Sequence, residues 1–227
     1  MNDPIVFSDE PVLLVGGAIG DNAQLSGLLN EFQTVVAADS GADWLMAVGR
    51  TPDALIGDLD SVSSQSRAAI PAEHVHQIAE QDSTDFDKAI RSVAAPMIVG
   101  IGFLGGQVDH LLAAMTVLAR YPDRAIILLG DNDVVVHLPP HLELPVEEGT
   151  RVSLYPMRLV DGVSNGLTWP IDGLKMSPGT RVGTSNRATG TVSLTMHSGG
   201  MLVILPVSQR ALVQQALLRC DGLWPAL

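Results

Sequence analysis

The chain has 227 residues, and its 13 lysines and arginines face 25 aspartates and glutamates, a net charge of −12. A field of that sign repels polyanions, which excludes a general nucleic-acid binder. With 46% hydrophobic residues and one cysteine, Cys220, the sequence describes a folded chain without a disulfide framework or a Cys-rich zinc site. Lys88 and Lys175 are the only lysines. The opening residues, Met1 to Pro11, lack the basic region of a leader. Apolar runs such as Ile126–Leu129 and Met201–Leu205 are too short to span a bilayer. Together these features predict a soluble, cytoplasmic protein with no membrane partner.

Up to residue 140, short apolar runs alternate with helical spacing. The runs Pro11–Gly16, Thr34–Asp39, Ala54–Gly57, Met97–Gly100 and Ala125–Gly130 read as buried strands. Helices are predicted over 22–31, 42–49, 84–95 and 109–120, the last with a stripe of Leu112, Met115 and Ala119. This alternation predicts a mostly parallel sheet with helices on both faces. Ligands of such sheets sit beyond the carboxyl ends of the strands. Here those ends carry Gly16-Gly17, Asp39, Asp58-Leu-Asp60, Gly105-Gly106 and Asp131-Asn132. After Pro139-Pro140 the texture changes to turn signals separating β-type runs at 151–155, 191–195 and 201–205. That pattern predicts a second domain, 141–227, built as a small antiparallel sandwich or barrel, with a helical tail over 209–219.

Carboxylates dominate the stretch from Asp53 to Asp87. Asp58-Leu-Asp60 follows a strand, so both side chains meet where the strand opens into a loop. Two carboxylates held close repel unless a cation intervenes, and magnesium suits such oxygen donors. The same residues also read as turn-capping aspartates. In Gln81-Asp-Ser-Thr-Asp-Phe-Asp-Lys88, Thr84 and Asp87 resemble a capping box, and Phe86, Ile90 and Val93 supply an apolar stripe. Asp85 then opens a helix, and Lys88 shares its face. A carboxylate, free amides and a lysine at a helix start form a phosphate–metal site, or simply a capped helix with a solvated lysine. Gly100-Ile-Gly-Phe-Leu-Gly105 matches a dinucleotide fingerprint and supports a nicotinamide-dependent oxidoreductase as an alternative. No P-loop and no G-x-S-x-G occurs. His74 and His76 fall on a loop or edge strand, while His137, His141 and His197 read as structural. Trp169, beside Pro170, reads as core or as a platform for a cationic ring.

Taken in order, Ala37–Asp43, Pro52–Ser61, Gln81–Lys88, Gly105–His110, Gly166–Trp169 and Ser185-Asn186 resemble the thiamine pyrophosphokinase family. The resemblance implies an α/β catalytic domain (1–140), a C-terminal β-sandwich and a homodimer with the thiamine site at the subunit interface. It implies diphosphate transfer from ATP to thiamine, with AMP released. By the same resemblance Asp58, Asp60 and Asp85 would hold Mg2+ and, with Asp109, be catalytic. Gly17, Asp39, Gly41, Lys88, Gly105, Gly106, Gln107, Asp109, His110 and Asn132 would line ATP. Gln81, Thr84, Trp169, Ser185 and Asn186 would face thiamine. One departure stands out: Gln107 replaces the family's usual arginine, which removes a phosphate partner and keeps a non-catalytic binding protein open as an alternative.

Overall fold

Apolar runs bounded by glycine and aspartate become fully buried strands. A computed structural model describes residues 4–18, 20 and 22–227; Ile19 of the glycine-rich run lies outside them. The fold is mixed α/β with a large mixed sheet, and the chain divides into two compact units. The first comprises residues up to Val117 together with Leu128–Asp131. The second comprises Leu118–Ile127 and everything from Asn132 onward, so it starts ahead of the texture change at Pro139-Pro140.

In the first unit, β1 (Val6–Phe7) precedes β2 (Val12–Val15), α1 (Asn22–Leu29), β3 (Val35–Ala38), α2 (Gly41–Ala47) and β4 (Ala54–Gly57). Next come α3 (Ser64–Ala69), β5 (Val75–Gln77), α4 (Asp85–Ser92), β6 (Val93–Ala94), β7 (Ile98–Ile101), α5 (Val108–Arg120), whose last turn belongs to the second unit, and β8 (Ile126–Leu129), divided between the two. β7, β2, β3, β4 and β5 pair in that spatial order, all parallel. Every residue of β2, β3, β4, β7 and β8 is buried, as expected of strands covered on both faces. His76 lies on β5, the outermost of these paired strands, in keeping with the edge-strand reading. Chain order runs outward from β2 to β5 and then returns to β7 on the other side of β2. Strand order therefore reverses between β2 and β7, which opens a crevice beyond their carboxyl ends.

α5 departs from its predicted stripe. Ala114, Val117 and Leu118 are buried with Ala119, whereas Leu112 is 58% exposed. The segment is apolar nearly all round, so periodicity fitted two faces and packing chose one.

The second unit adds β9 (Asp133–His137), β10 (His141–Leu144), β11 (Arg151–Pro156), β12 (Gly162–Leu167), β13 (Gly183–Met196), β14 (Met201–Pro206) and α6 (Arg210–Arg219). All its pairings are antiparallel. β13 is longer than the run read from sequence. Its first part pairs with β11, while its second part lies against β10 and β12. No helix among the described residues is long and apolar enough to cross a membrane.

His137 is structural, as read. Its buried Nε2 accepts a hydrogen bond from the Gly200 amide at 2.8 Å, which requires a neutral ring. Burial, followed by the nearby Arg158 charge, lowers its pKa to about 4. A depressed histidine pKa means that the unfolded state binds the extra proton first. Its contribution is therefore complete above pH 6.5 and fades as pH falls toward 4. The wild type is expected to lose about 2 kcal/mol more stability than His137→Gln between pH 7 and pH 5. Urea unfolding at both pH values checks this; equal losses would refute it.

Candidate active site

β3 and β4 run side by side, with Ala38 opposite Ile56, so their ends deliver Asp39 and Asp58 to one place. The backbone is forced there. Among the described residues only three non-glycines have positive φ, and two of them are Asp39 (43°) and Leu59 (68°). Such conformations cost roughly 1–3 kcal/mol each and persist only where surroundings impose them. The Leu59 kink folds the D-x-D segment so that the Asp60 amide donates to Asp58 Oδ1 at 3.2 Å. Asp39, Asp58 and Asp60 thereby bring carboxylate oxygens within 4.8 Å of one another. Asp39 is 3% exposed; its Oδ2 accepts from the Ser61 amide at 3.1 Å, while buried Oδ1 meets no hydrogen-bond partner. Burial, and after it the charge of Asp85, push the Asp39 carboxyl above the usual carboxylate range. An unsatisfied oxygen beside two more carboxylates fits a hard divalent cation such as Mg2+.

α4 begins where the sequence predicts. Thr84 Oγ1 caps it by accepting from the Asp87 amide at 3.3 Å. One helical turn then aligns Asp85 with Lys88. Lys88 is not solvated but 1% exposed, and its Nζ donates to Asp58 Oδ2 at 3.0 Å and Asp85 Oδ1 at 3.1 Å. Burial alone would lower the Lys88 pKa; the bonds and charges of Asp58 and Asp85 outweigh it and leave it raised. The bond from Lys88, foremost, holds the Asp58 carboxyl below its ordinary value. Gln81 Nε2 also donates to Asp58 Oδ2, at 3.2 Å. Gly57 leaves room for all of this, because a Cβ there would lie 3.0 Å from Asp39 Cβ and 3.1 Å from Asp85 Oδ1.

At the crevice between β2 and β7 lies a cleft of about 240 Å³ lined by Ala18, Gly20, Gly102, Gly105, Gly106 and Asp131, among others. Gly41 opens α2 directly beneath the Val15 carbonyl, where any side chain would collide. Trp44 Nε1 pins the loop before the cleft by donating to Gly17 O at 2.9 Å. The fingerprint glycines do not open a helix: Gly100 lies inside β7, and α5 begins only at Val108. That geometry removes the dinucleotide reading.

In the second unit, Trp169 is exposed rather than core. Its backbone is gripped by Asn186, whose Oδ1 accepts from Trp169 N at 3.1 Å and whose Nδ2 donates to Trp169 O at 2.7 Å. The preceding Ser185 has φ 58° and donates its amide to Ser153 Oγ at 2.9 Å.

A model of the family described as thiamin pyrophosphokinase, catalytic domain, matches residues 25–129, the stretch that holds the carboxylates and Lys88. Thiamine pyrophosphokinase 3 of rice (Oryza sativa subsp. japonica) is 32% identical over 155 residues, 60% of this chain. The thiamine pyrophosphokinase of Bacillus subtilis (strain 168) is 26% identical over 206 residues, 85% of this chain and 96% of that protein. Over these residues the chain is similar to the thiamine pyrophosphokinases. It spans 58% of the length of the rice relative. Its fold is that of the thiamin pyrophosphokinase from Candida albicans, with a TM-score of 0.75 at 17% identity over 91% of this chain and 95% of that one. The crystal structure of the Bacillus subtilis protein aligns with a TM-score of 0.69 at 24% identity, over 87% and 98%.

The family-implied residues separate by environment. Asp39, Asp58, Asp60, Gln81, Asp85 and Lys88 form one bonded cluster. In it Asp39, which the resemblance put with ATP, stands with Asp58 and Asp60. Asp85 Oδ1 is instead taken up by Lys88 and by the Asp58 amide. Asp109 Oδ1 accepts from the His110 amide at 2.9 Å, and both residues are exposed with Gln107. Asn132 opens the second unit and lends its carbonyl to Val207 N. Sequence reading missed the full burial of Lys88, although its place one turn after Asp85 already put them on one face. It also missed the Gly57 spacer, which carries no local signal.

Lys88→Met leaves two partly buried carboxylates without their cation. A loss of about 2–3 kcal/mol is expected at neutral pH, discounted for the water that still reaches Asp58 and Asp85. The loss should shrink as pH falls from the ordinary carboxylate range toward the depressed Asp58 pKa, because protons progressively neutralise the carboxylates that Lys88 pairs. Thermal unfolding of both proteins at pH 7 and at pH 3 checks this, and a loss that does not depend on pH would refute it.

Proposed function

We propose that the chain is a thiamine diphosphokinase, transferring a diphosphate from ATP to thiamine. The thiamine hydroxyl oxygen forms a bond to the β-phosphorus, the bond from that phosphorus to the α-phosphate oxygen breaks, and AMP leaves. The hydroxyl proton passes to a carboxylate or to solvent, with Asp85 or Asp60 the candidate. The observation that carries this reading is the Asp39–Asp58–Asp60 cluster with its unsatisfied Asp39 oxygen, in a chain similar to the thiamine pyrophosphokinases.

Asp58, Asp60 and Asp39 are read as the magnesium ligands, with Asp85 beside them. Bound there, Mg2+ would supply the positive charge that a triphosphate requires. This chain has few cations of its own for that task. Lys88, buried between carboxylates, holds them in place and reaches no further. The glycine-lined cleft is read as the nucleotide site, because it sits where the strand order reverses and lets a ligand approach the backbone closely. The same reading makes Asp109, His110 and Asn132 nucleotide-lining, and takes Gln81, Thr84, Ser185 and Trp169 to the thiamine side. Trp169 offers an aromatic face to a cationic ring. The second unit is read as the β-sandwich of the family, and the enzyme as a cytoplasmic homodimer with thiamine at the interface. Exposed Val108 and Leu112 on α5 are apolar surface that a partner would cover.

Gln107 favours a second reading. An uncharged side chain stands where the family usually supplies a guanidinium, and a protein that binds both substrates without turnover would tolerate that.

Incubation with thiamine, ATP and Mg2+ should yield AMP and thiamine diphosphate in equal amounts. Formation of ADP, or no nucleotide product at all, would refute the proposed reaction. Asp60→Asn should abolish the magnesium-dependent product. Gln107→Arg separates the two readings. A higher rate marks a slow enzyme, whereas binding of both substrates with no AMP from either form marks a binding protein.

A further inference from the structure

Trp169 is 59% exposed, an unusual place for a large aromatic side chain in a β-rich unit, yet its backbone is held from beneath by a residue that is only 5% exposed. That residue is Asn186. A carboxamide can accept two hydrogen bonds and donate two. Asn186 Oδ1 spends both acceptor positions on backbone, taking the amides of Trp169 at 3.1 Å and Arg187 at 2.9 Å. Nδ2 spends one donor on the Trp169 carbonyl at 2.7 Å. Three of its four hydrogen-bonding positions thus go to main chain, two of them to one residue. Little is left for a substrate, and nothing that could accept a hydrogen bond from one.

The local fold is bent to make this grip. β13 pairs Gly183 with Leu154 and Asn186 with Val152, so the register shifts between these pairs and β13 bulges. Bulges re-aim side chains. Ser185, inside the bulge, takes the left-handed conformation (φ 58°) and is steadied by Ser153 Oγ. The next bonds bring β12 alongside. Thr168 N donates to Arg187 O at 2.9 Å, and Leu167 stands opposite Ala188. Strained backbone, a bulge and a buried amide all converge on the main chain of one exposed indole. Packing offers no reason for this, because the ring they hold points outward.

We propose that Asn186 is a positioning residue. It does not touch thiamine; it fixes the Trp169 backbone so that the indole is presented as a preformed face for the cationic, aromatic substrate. This rests on the diphosphokinase reading above and changes the role that the family resemblance gives Asn186. A platform that is already ordered spares the ordering cost on binding, so the effect falls on thiamine affinity rather than on nucleotide handling.

A double-mutant cycle tests it. Thiamine binding is measured by calorimetry for the wild type, Trp169→Ala, Asn186→Ala and the double variant. A non-hydrolysable ATP analogue with Mg2+ is titrated into each as well. Each single change is expected to weaken thiamine binding roughly tenfold, and the double variant to bind no more weakly than Trp169→Ala. Affinity for the ATP analogue should be unchanged throughout. Losses that multiply in the double variant would mean that Asn186 contacts thiamine by itself, and would overturn the proposal. So would an Asn186→Ala protein that binds thiamine as the wild type does, or one that loses both ligands alike, the mark of a merely structural role. If Asn186→Ala does not fold, Asn186→Ser takes its place, since it keeps a neutral polar group that is too short to reach both the amide and the carbonyl of Trp169. It should weaken thiamine binding only when Trp169 is present, and a loss that persists in the Trp169→Ala background would overturn the proposal. A wild-type protein that does not bind thiamine at all would instead bring down the diphosphokinase reading itself, a result recognisable before any variant is made.

Discussion

The ammonium of Lys88 stands between Asp58 and Asp85, and the acidic centre depends on it. Four carboxylates converge from three segments of a chain that is already strongly acidic. Without an internal cation, their repulsion would push the loops after β3 and β4 away from α4 or force protons onto the acids. Lys88 neutralises part of that charge permanently, from a position water does not reach. Asp39 and Asp60 lie beside Asp58 without a bond from Lys88, and the buried Asp39 Oδ1 meets no hydrogen-bond partner. One lysine therefore stabilises the fold without satisfying the buried Asp39 oxygen.

Backbone strain serves the same end. Asp39 and Leu59 occupy left-handed conformations that neither side chain favours, and both occur where a parallel strand gives way to a loop. The buried β3 and β4 anchor those loops, so the unfavourable dihedrals are imposed by packing rather than chosen locally. Gly57 completes the arrangement by having no side chain, which lets Asp39 and Asp85 approach across it. The glycine-lined cleft arises differently. It forms because the chain reverses its strand order between β2 and β7, leaving backbone rather than side chains at the rim.

In the second unit the same economy appears without charge. Asn186, buried and three-quarters occupied by main-chain partners, orders the backbone of Trp169 and leaves the indole exposed. A site residue in a family pattern can thus act through its neighbour, and a pattern of residue types does not distinguish contact from support.

Much was legible in the sequence. Fully buried strands appear as uninterrupted apolar runs, since neither face needs a polar residue, and all five such runs became strands. The start of α4 was readable because a threonine cap and the carboxylate three residues on are local chemistry. The gathering of carboxylates was readable too, because aspartates that follow adjacent parallel strands are delivered to one end of the sheet. Tertiary packing alone decided the rest. The buried face of α5 was ambiguous in a segment apolar nearly all round, and β1 and β6 are too short to leave a pattern. That Asp39 stands with Asp58 and Asp60, while Asp85 bonds Lys88 and the Asp58 amide, follows from how β3, β4 and α4 pack. The roles of Asn186 and Trp169 required a bulge in β13, set by pairing between segments distant along the chain. Local chemistry is written in neighbouring residues; which of two suitable groups meets a third depends on distances that only the folded chain creates.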